Sequence, residues 1–341
     1  MNKFKLTLMT LFNKPAVRNI LITLALAALL SLPLFDFPQK NLWVRIIGYA
    51  GLYIILGMGL LVHVGFAGMF DLGFAAFYAI GAYTYAFLAS PHFNIHLPFW
   101  IVILIAGSIA AVIGTLVSIP VLKLRGDYLG IVTLGFGEIV RMLLMNLTKI
   151  TNGSQGIIGL DKPTLFGIVF NKGVHFYYLI FVVIVILLIL LNRIIHSRTG
   201  RAWLAMREDE DVAQMSGINT SKYKLLAFAI GAFIGGLGGA IFAAWQGSIF
   251  PDNFNMNVSI NILCLIILGG LGNQYGVILG AMALIALPDI LRGLSDYRML
   301  IFGLLLIIMM ILRPQGFLPR KPPQLENSDS KPTTKQEEVQ P

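Results

Sequence analysis

A single cysteine, Cys264, in 341 residues excludes a disulfide framework and a thiolate metal site. Charge is scarce as well. Asp, Glu, Lys and Arg make up 12% of the chain against 57% hydrophobic residues, which excludes an ordinary soluble domain of this length. The phosphate-cradling pattern G-x-x-x-x-G-K-[ST] does not occur, so the chain by itself is expected to hold no nucleotide. GFGEIV at 135–140 approaches a dinucleotide fingerprint, but it sits within an apolar run with no strand before it. His92 and His96 have helical i,i+4 spacing, yet Pro91 and Pro98 bracket them in a short loop without carboxylates. No metal site is expected there. His63, His175 and His196 are scattered near the ends of apolar runs, and no Ser-His-Asp or paired-carboxylate arrangement stands out. Neither a catalytic residue nor a cofactor is expected, and the chain does not read as an enzyme.

What the sequence has in abundance is uninterrupted apolar length. Residues 20–35, 176–191 and 299–312 contain almost no polar side chain, and the mean hydropathy of the whole chain is +0.81. Spanning a bilayer core takes about 20 mostly apolar residues. Transmembrane barrel strands alternate in polarity and these runs do not. The fold class is therefore all-α, a polytopic transmembrane helical bundle. About ten crossings (eight to ten) are expected, near 19–35, 44–63, 72–90, 98–120, 128–148, 176–195, 223–247, 258–271, 275–290 and 297–312. Within the first of these, residues 18–35 read as a retained helix rather than a cleaved signal.

The net charge of +9 does not point to nucleic acid in such a chain, because excess Lys and Arg in a membrane protein reports topology. With residues 1–18 in the cytoplasm, 17 of the 25 basic residues fall on the inner side and 8 on the outer. This bias places both termini inside, with 19–313 as the transmembrane domain and 196–222 as a cytoplasmic segment within it. Residues 314–341, rich in Pro, Ser, Lys and Glu, are expected to form a disordered cytoplasmic tail. The glycine-rich TNGSQGI stretch in the long outer loop is expected to form turns rather than a helix.

Ionisable residues inside crossings are costly, at about 3 kcal/mol each at the helix centre on insertion scales. Three stand out as candidate polar positions on a solute path: Asp71 between two apolar segments, and Glu138 with Arg141, three apart on one helix face. A neutralised boundary pair is the structural alternative for the latter two, and Asp289 with Arg292 repeats the same spacing. Gly231, Gly235 and Gly239 recur every four residues, a small-xxx-small face that lets helices approach closely within one bundle or between two chains. The echo of AIGAY (79–83) in AIGAF (229–233) hints at repeated halves.

The densest charge in the chain is Arg207-Glu208-Asp209-Glu210-Asp211, which sums to −3. A helix lying on the membrane surface needs a clean apolar stripe and a Lys/Arg-rich polar face. Here Glu208 and Asp211 fall on the same side of the wheel as Leu204, Val212 and Met215, and an anionic leaflet would repel the cluster. A protein partner explains the cluster better than lipid does.

Five ordered blocks carry a resemblance: GFAGMFDLGFAAFYAIGAYTYA (65–86), GDYLGIVTLGFGEIVRMLLMN (126–146) with TNGSQGIIGL after it, GRAWLAMREDEDVAQMSGINTSKYKLLAFAIGAF (200–233), LGGLGNQYGVILGA (268–281) and LRPQGF (312–317). Together they resemble the LivM-type permeases of branched-chain amino-acid ABC importers across about residues 44–317. In ABC importers a permease motif E-A-A-x-x-x-G docks on the ATPase. Asp211-Val212-Ala213 with Gly217 occupies that spacing, departing from it by Asp for Glu and Val for Ala. The resemblance implies that Arg207, Glu208, Asp209, Glu210, Asp211, Ala213 and Gly217 form the coupling segment. It also implies two ABC ATPase subunits that bind the ATP, a paralogous permease and a periplasmic substrate-binding protein. Leu, Ile and Val are the implied substrates in the inner membrane, although related systems carry other neutral amino acids, amides or urea. A self-sufficient secondary transporter or channel for small amino acids is the second reading. It would require Asp71 or Glu138 to couple an ion.

Overall fold

The computed structural model describes residues 40–286, apart from 123, 125, 166 and 167, together with 303, 304, 307, 311 and 316–318. The expected crossing at 19–35, nearly all of that at 297–312, the Asp289–Arg292 pair, residues 1–18 and most of the tail lie outside the described residues.

Eight helices correspond to the eight remaining crossings. They are α1 (Lys40–Leu60, prolonged by a π-helical turn over Leu61–Phe66), α2 (Phe74–Leu88), α3 (Phe99–Val121), α4 (Asp127–Asn146), α5 (Gly173–Ile195), α8 (Thr220–Gln246), α9 (Met256–Gly269) and α10 (Gln274–Ala281). Among the described residues, six spans are long and apolar enough to cross a membrane, while Phe74–Leu88 and Gln274–Ile285 are shorter apolar helices. Two further helices, α6 (Arg198–Glu208) and α7 (Glu210–Met215), join α5 to α8. Successive long helices run in opposite directions, which puts α6 and α7 at one end of the bundle. Among the described residues, three two-stranded antiparallel sheets lie at the other: Ala89–Ser90 with Ile95–His96, Ile157–Ile158 with Ser248–Ile249, and Thr164–Leu165 with Ile168–Val169. The TNGSQGI stretch, expected to form turns, instead begins in a single α-helical turn over Thr148–Thr151 and continues as a short 3-10 helix over Gly153–Gln155.

α8 is the axis of the packing, lying against α1, α2 and α3 at once. Its small residues account for this. A Cβ on Gly239 would collide with the Tyr78 carbonyl, and one on Gly81 with the Gly236 backbone. Backbone thus meets backbone between α8 and α2, and dispersion contacts replace the hydrophobic drive that lipid does not supply. Gly235 seats Phe74 and Phe77, and Gly231 seats the imidazole of His63. In the folded chain the small-residue face lies inside one bundle.

α2 departs from expectation. It starts at Phe74, not 72, and its 15 residues rise only about 22 Å, less than the roughly 30 Å hydrocarbon core. Residues 67–73 cover the remaining depth without regular structure, and Gly68 takes a φ of 71° there. Irregular backbone is tolerated at such depth only where protein satisfies it. Ala67 N–H donates to the Val62 carbonyl at 3.1 Å and Met69 N–H to the His63 carbonyl at 2.9 Å. Leu72 N–H donates to Thr133 Oγ1 at 3.0 Å, Gly73 N–H to Asp71 Oδ1 at 2.9 Å and Ala75 N–H to Ser259 Oγ at 2.9 Å. Two blocks far apart in sequence also meet. Phe317 N–H donates to the Leu268 carbonyl at 2.8 Å, and Gly316 sits against Gly270.

If α8 and α2 meet backbone to backbone, Gly239→Leu should destabilise the bundle by about 1–3 kcal/mol through overpacking. Thermal stability in detergent, followed by size-exclusion chromatography, checks this. A midpoint equal to wild type would show that the two helices do not touch there.

Candidate functional site: a charged elbow and two polar clusters

The charged cluster at 207–211 is not one helix but the bend between two. Ser197 caps α6 by accepting from Gly200 N–H, and α6 ends at Asp209, whose backbone is extended. Asp209 Oδ1 then accepts from the N–H groups of Asp211 and Val212 at 2.9 and 3.0 Å, so one carboxylate both ends α6 and starts α7. Gly217 leaves α7 at a φ of 83°, the left-handed conformation expected of a glycine just past a helix. Asn219 then caps α8 through Lys222 N–H at 3.0 Å.

Three contacts hold this elbow on the bundle. Trp203 is fully buried, and its Nε1–H donates to the Tyr223 carbonyl at 2.8 Å. Burial of an indole contributes on the order of 4–6 kcal/mol at about 25 cal/mol per Å². Lys224 pairs with Glu210 at 2.6 Å and donates to the Leu122 carbonyl at 3.2 Å, joining α7, α8 and the end of α3. Arg207 Nη1 donates to the Gly65 carbonyl at 2.7 Å, and Gly68 packs directly on the Arg207 backbone and side chain. The elbow is therefore fastened to the π-helical turn of α1 and to the irregular segment that follows it.

The charged cluster divides accordingly. Arg207 and Glu210 turn inward. Glu208, Asp209 and Asp211 are exposed, and so is Gly217. Ala213 is buried against the bundle, whereas Val212 and Met215 are 58% and 88% exposed. α7 thus presents an acidic rim around two bare apolar side chains.

A second cluster lies beyond Gly65. His63 Nδ1–H donates to Asp71 Oδ2 at 2.7 Å, and both side chains are wholly buried. His63 Nε2, facing Gly231, has no hydrogen-bond partner. Asp71 closes the irregular segment onto α1 through this bond and starts α2 through Gly73 N–H. His63, which the sequence placed among histidines scattered near the ends of apolar runs, belongs instead to this buried pair.

A third cluster lies nearer the hairpin end. Arg141 Nε donates to Glu138 Oε2 at 2.9 Å, and Nη1 donates to Asp252 Oδ1 at 3.3 Å. His92 and His96 face different partners: His92 the Ile150 carbonyl at 3.0 Å, and His96 the Asp161 carboxylate at 2.6 Å. Among the described residues, no group of three or more His, Cys, Asp and Glu could hold a metal ion.

His63, Lys224 and Asp252 are the polar partners that sequence reasoning missed. A buried histidine in an apolar run was the one available signal for His63, because such a group must find a partner.

Glu210→Ala would leave Lys224 buried without its counter-charge and is expected to cost about 3 kcal/mol. Glu208→Ala, at an exposed position, should change stability by less than about 0.5 kcal/mol. Denaturation of the two variants in detergent separates the inward acid from the outward one, and equal losses would contradict the division.

Comparison with known proteins points one way. A family model described as "Branched-chain amino acid transport system / permease component" matches residues 42–310. The chain is 44% identical over 327 residues to "High-affinity branched-chain amino acid transport system permease protein LivM" of Escherichia coli strain K12, covering 89% of this chain and 76% of that protein. It is 27% identical over 237 residues to "Probable branched-chain amino acid transport permease protein LivM" of Methanocaldococcus jannaschii, covering 64% and 68% respectively. The paralogous "High-affinity branched-chain amino acid transport system permease protein LivH" of E. coli strain K12 is 30% identical over 136 residues, covering 39% of this chain and 43% of that protein. No solved structure matches. The chain belongs to the permease-component family of branched-chain amino acid transport systems and is LivM-like within it.

Proposed function

We propose that this chain is a permease subunit of an ABC importer that moves branched-chain amino acids across the inner membrane. Its end bearing α6 and α7 lies in the cytoplasm, where two ATPase subunits dock. The relatives' names supply the solute, and the 17-to-8 excess of inward basic residues supplies the orientation. The observation that carries the docking reading is α7 itself. Val212 and Met215 stand in the open beside Asp209 and Asp211, while Ala213 anchors the helix beneath them. Apolar knobs within a charged rim suit a protein groove, with the charges setting orientation and the knobs supplying buried contact. A lipid surface would oppose the rim.

The mechanism follows from how the elbow is fastened. The sequence carries no G-x-x-x-x-G-K-[ST] pattern, and in this reading closure of the ATP-bound subunits acts through α7. Trp203 and the Glu210–Lys224 pair keep the elbow rigid. Arg207 passes its displacement to the Gly65 carbonyl and so to residues 65–73, from which α2 starts. A paralogous permease completes the path, and a periplasmic binding protein delivers the solute.

Met215→Asp combined with Asp211→Arg should abolish co-purification of the ATPases while leaving membrane insertion intact. Retained co-purification would remove α7 from the coupling role. In membrane vesicles, leucine uptake should require internal ATP and survive collapse of the proton gradient. Loss with an uncoupler alone would instead establish a secondary transporter.

A further inference from the structure

The block LRPQGF takes no part in the elbow, yet its end is built onto the bundle next to it. Residues 316–318 lie across the turn between α9 and α10. Phe317 N–H donates to the Leu268 carbonyl at 2.8 Å, and Leu318 N–H donates to the Gly269 carbonyl at 3.0 Å. These are two of the carbonyls that the last turn of α9 would otherwise leave unpaired. Asn273 ties the turn from the other side. Its Oδ1 accepts from Tyr275 N–H at 3.0 Å and caps α10, and its Nδ2 donates to the Leu318 carbonyl at 3.1 Å. Gly316 is buried with a φ of 80°, and a Cβ on it would strike Gly270 Cα. The grip is a main-chain one, since the side chains of Phe317 and Leu318 are 36% and 38% exposed.

Further contacts connect this clasp to the coupling joint. Gly65, whose carbonyl receives Arg207, backs onto the turn: a Cβ on Gly65 would meet Gly272 N at 3.1 Å. Beyond the turn, α9 and α10 touch backbone to backbone, Gly269 on Gly276 and Leu265 on Gly280. Packing this close leaves the two helices little freedom to shift independently. The pair also reaches α2, because Ser259 Oγ on α9 accepts from Ala75 N–H at 2.9 Å. The start of α2 is held from two sides, by Asp71 through residues 65–73 and by Ser259 through α9.

We propose that residues 316–318 and Asn273 are positioning residues of the coupling step. They fix the α9–α10 turn behind Gly65, so that a displacement of the elbow reaches α2 along a second arm, through α9 and Ser259. The inference rests on the permease reading. Helix capping alone does not require this arrangement, because water at the end of the bundle would satisfy the α9 carbonyls as well. Without the clasp, the turn yields when Arg207 presses on Gly65, and ATP is hydrolysed with less movement of α2. The signature is lost coupling rather than lost assembly.

The test uses the complete importer in proteoliposomes, scored as L-leucine moved per ATP hydrolysed. Hydrogen exchange of the peptide bearing residues 316–318 is the second readout. Asn273→Asp keeps the α10 cap, which a carboxylate fills equally well, but removes the donor to Leu318. It should lower the ratio about fivefold, the weight of one hydrogen bond, and speed exchange of the Phe317 and Leu318 amides. Gly316→Ala reaches the same clasp through a different atom and should have the same two effects. Because both release one contact, the double variant should be no worse than the worse single one. Wild-type coupling in both variants, or losses that multiply in the double variant, would make the clasp a structural strap and overturn the proposal. Fast exchange of those amides in the wild-type protein would overturn it too, whatever the solute. Absence of leucine uptake by the wild-type importer is a different failure: it would remove the permease reading, and this inference with it, while slow exchange at 317 and 318 left the clasp itself in place.

Discussion

The hydrogen bond from Arg207 to the Gly65 carbonyl is the joint on which the account depends. On one side of it is water-exposed, charged chain; on the other is backbone at membrane depth that must find every partner inside the protein. An arginine is suited to this place because its guanidinium stays charged and offers several donors in a fixed plane. The Gly68 contact brings the two backbones together, and any side chain there would push Arg207 away. Everything beyond the joint is tightly determined. The π-helical turn sets His63 on Asp71, Asp71 holds Gly73, and α2 then begins with Ser259 on the Ala75 N–H. A displacement entering at α7 therefore meets few soft elements before it reaches α2.

Packing around α8 complements this. Glycines at 231, 235, 236 and 239 let α1, α2 and α3 close on one helix.

Much of this was legible in the sequence, and the reasons are physical. Lipid demands long apolar runs, so helix positions followed from hydropathy, and the density of charge at 207–211 marked the elbow. Gly217 announced its turn by residue type. What escaped were partnerships between distant residues. Arg207 bonds a main-chain carbonyl, which has no sequence signature. Glu210 meets Lys224 across a turn, and Asp252 reaches Arg141 over 111 residues. His63 and Asp71 are eight apart, a spacing that means nothing on a continuous helix and becomes a contact only because the helix breaks between them. The same break explains why α2 begins two residues later than its apolar run.

Transmission through the joint can be measured by pulsed electron spin resonance on the assembled importer, with Cys264 replaced and labels placed in pairs. One pair, at Gln214 and Val64, brackets the Arg207–Gly65 contact; the other, at Gln214 and Asn94, spans the bundle from elbow to hairpin. With nucleotide trapped on the ATPase partners, the first distance should stay fixed while the second changes. A first distance that changes with the second held constant would show that the elbow slides on the bundle and that the joint transmits nothing.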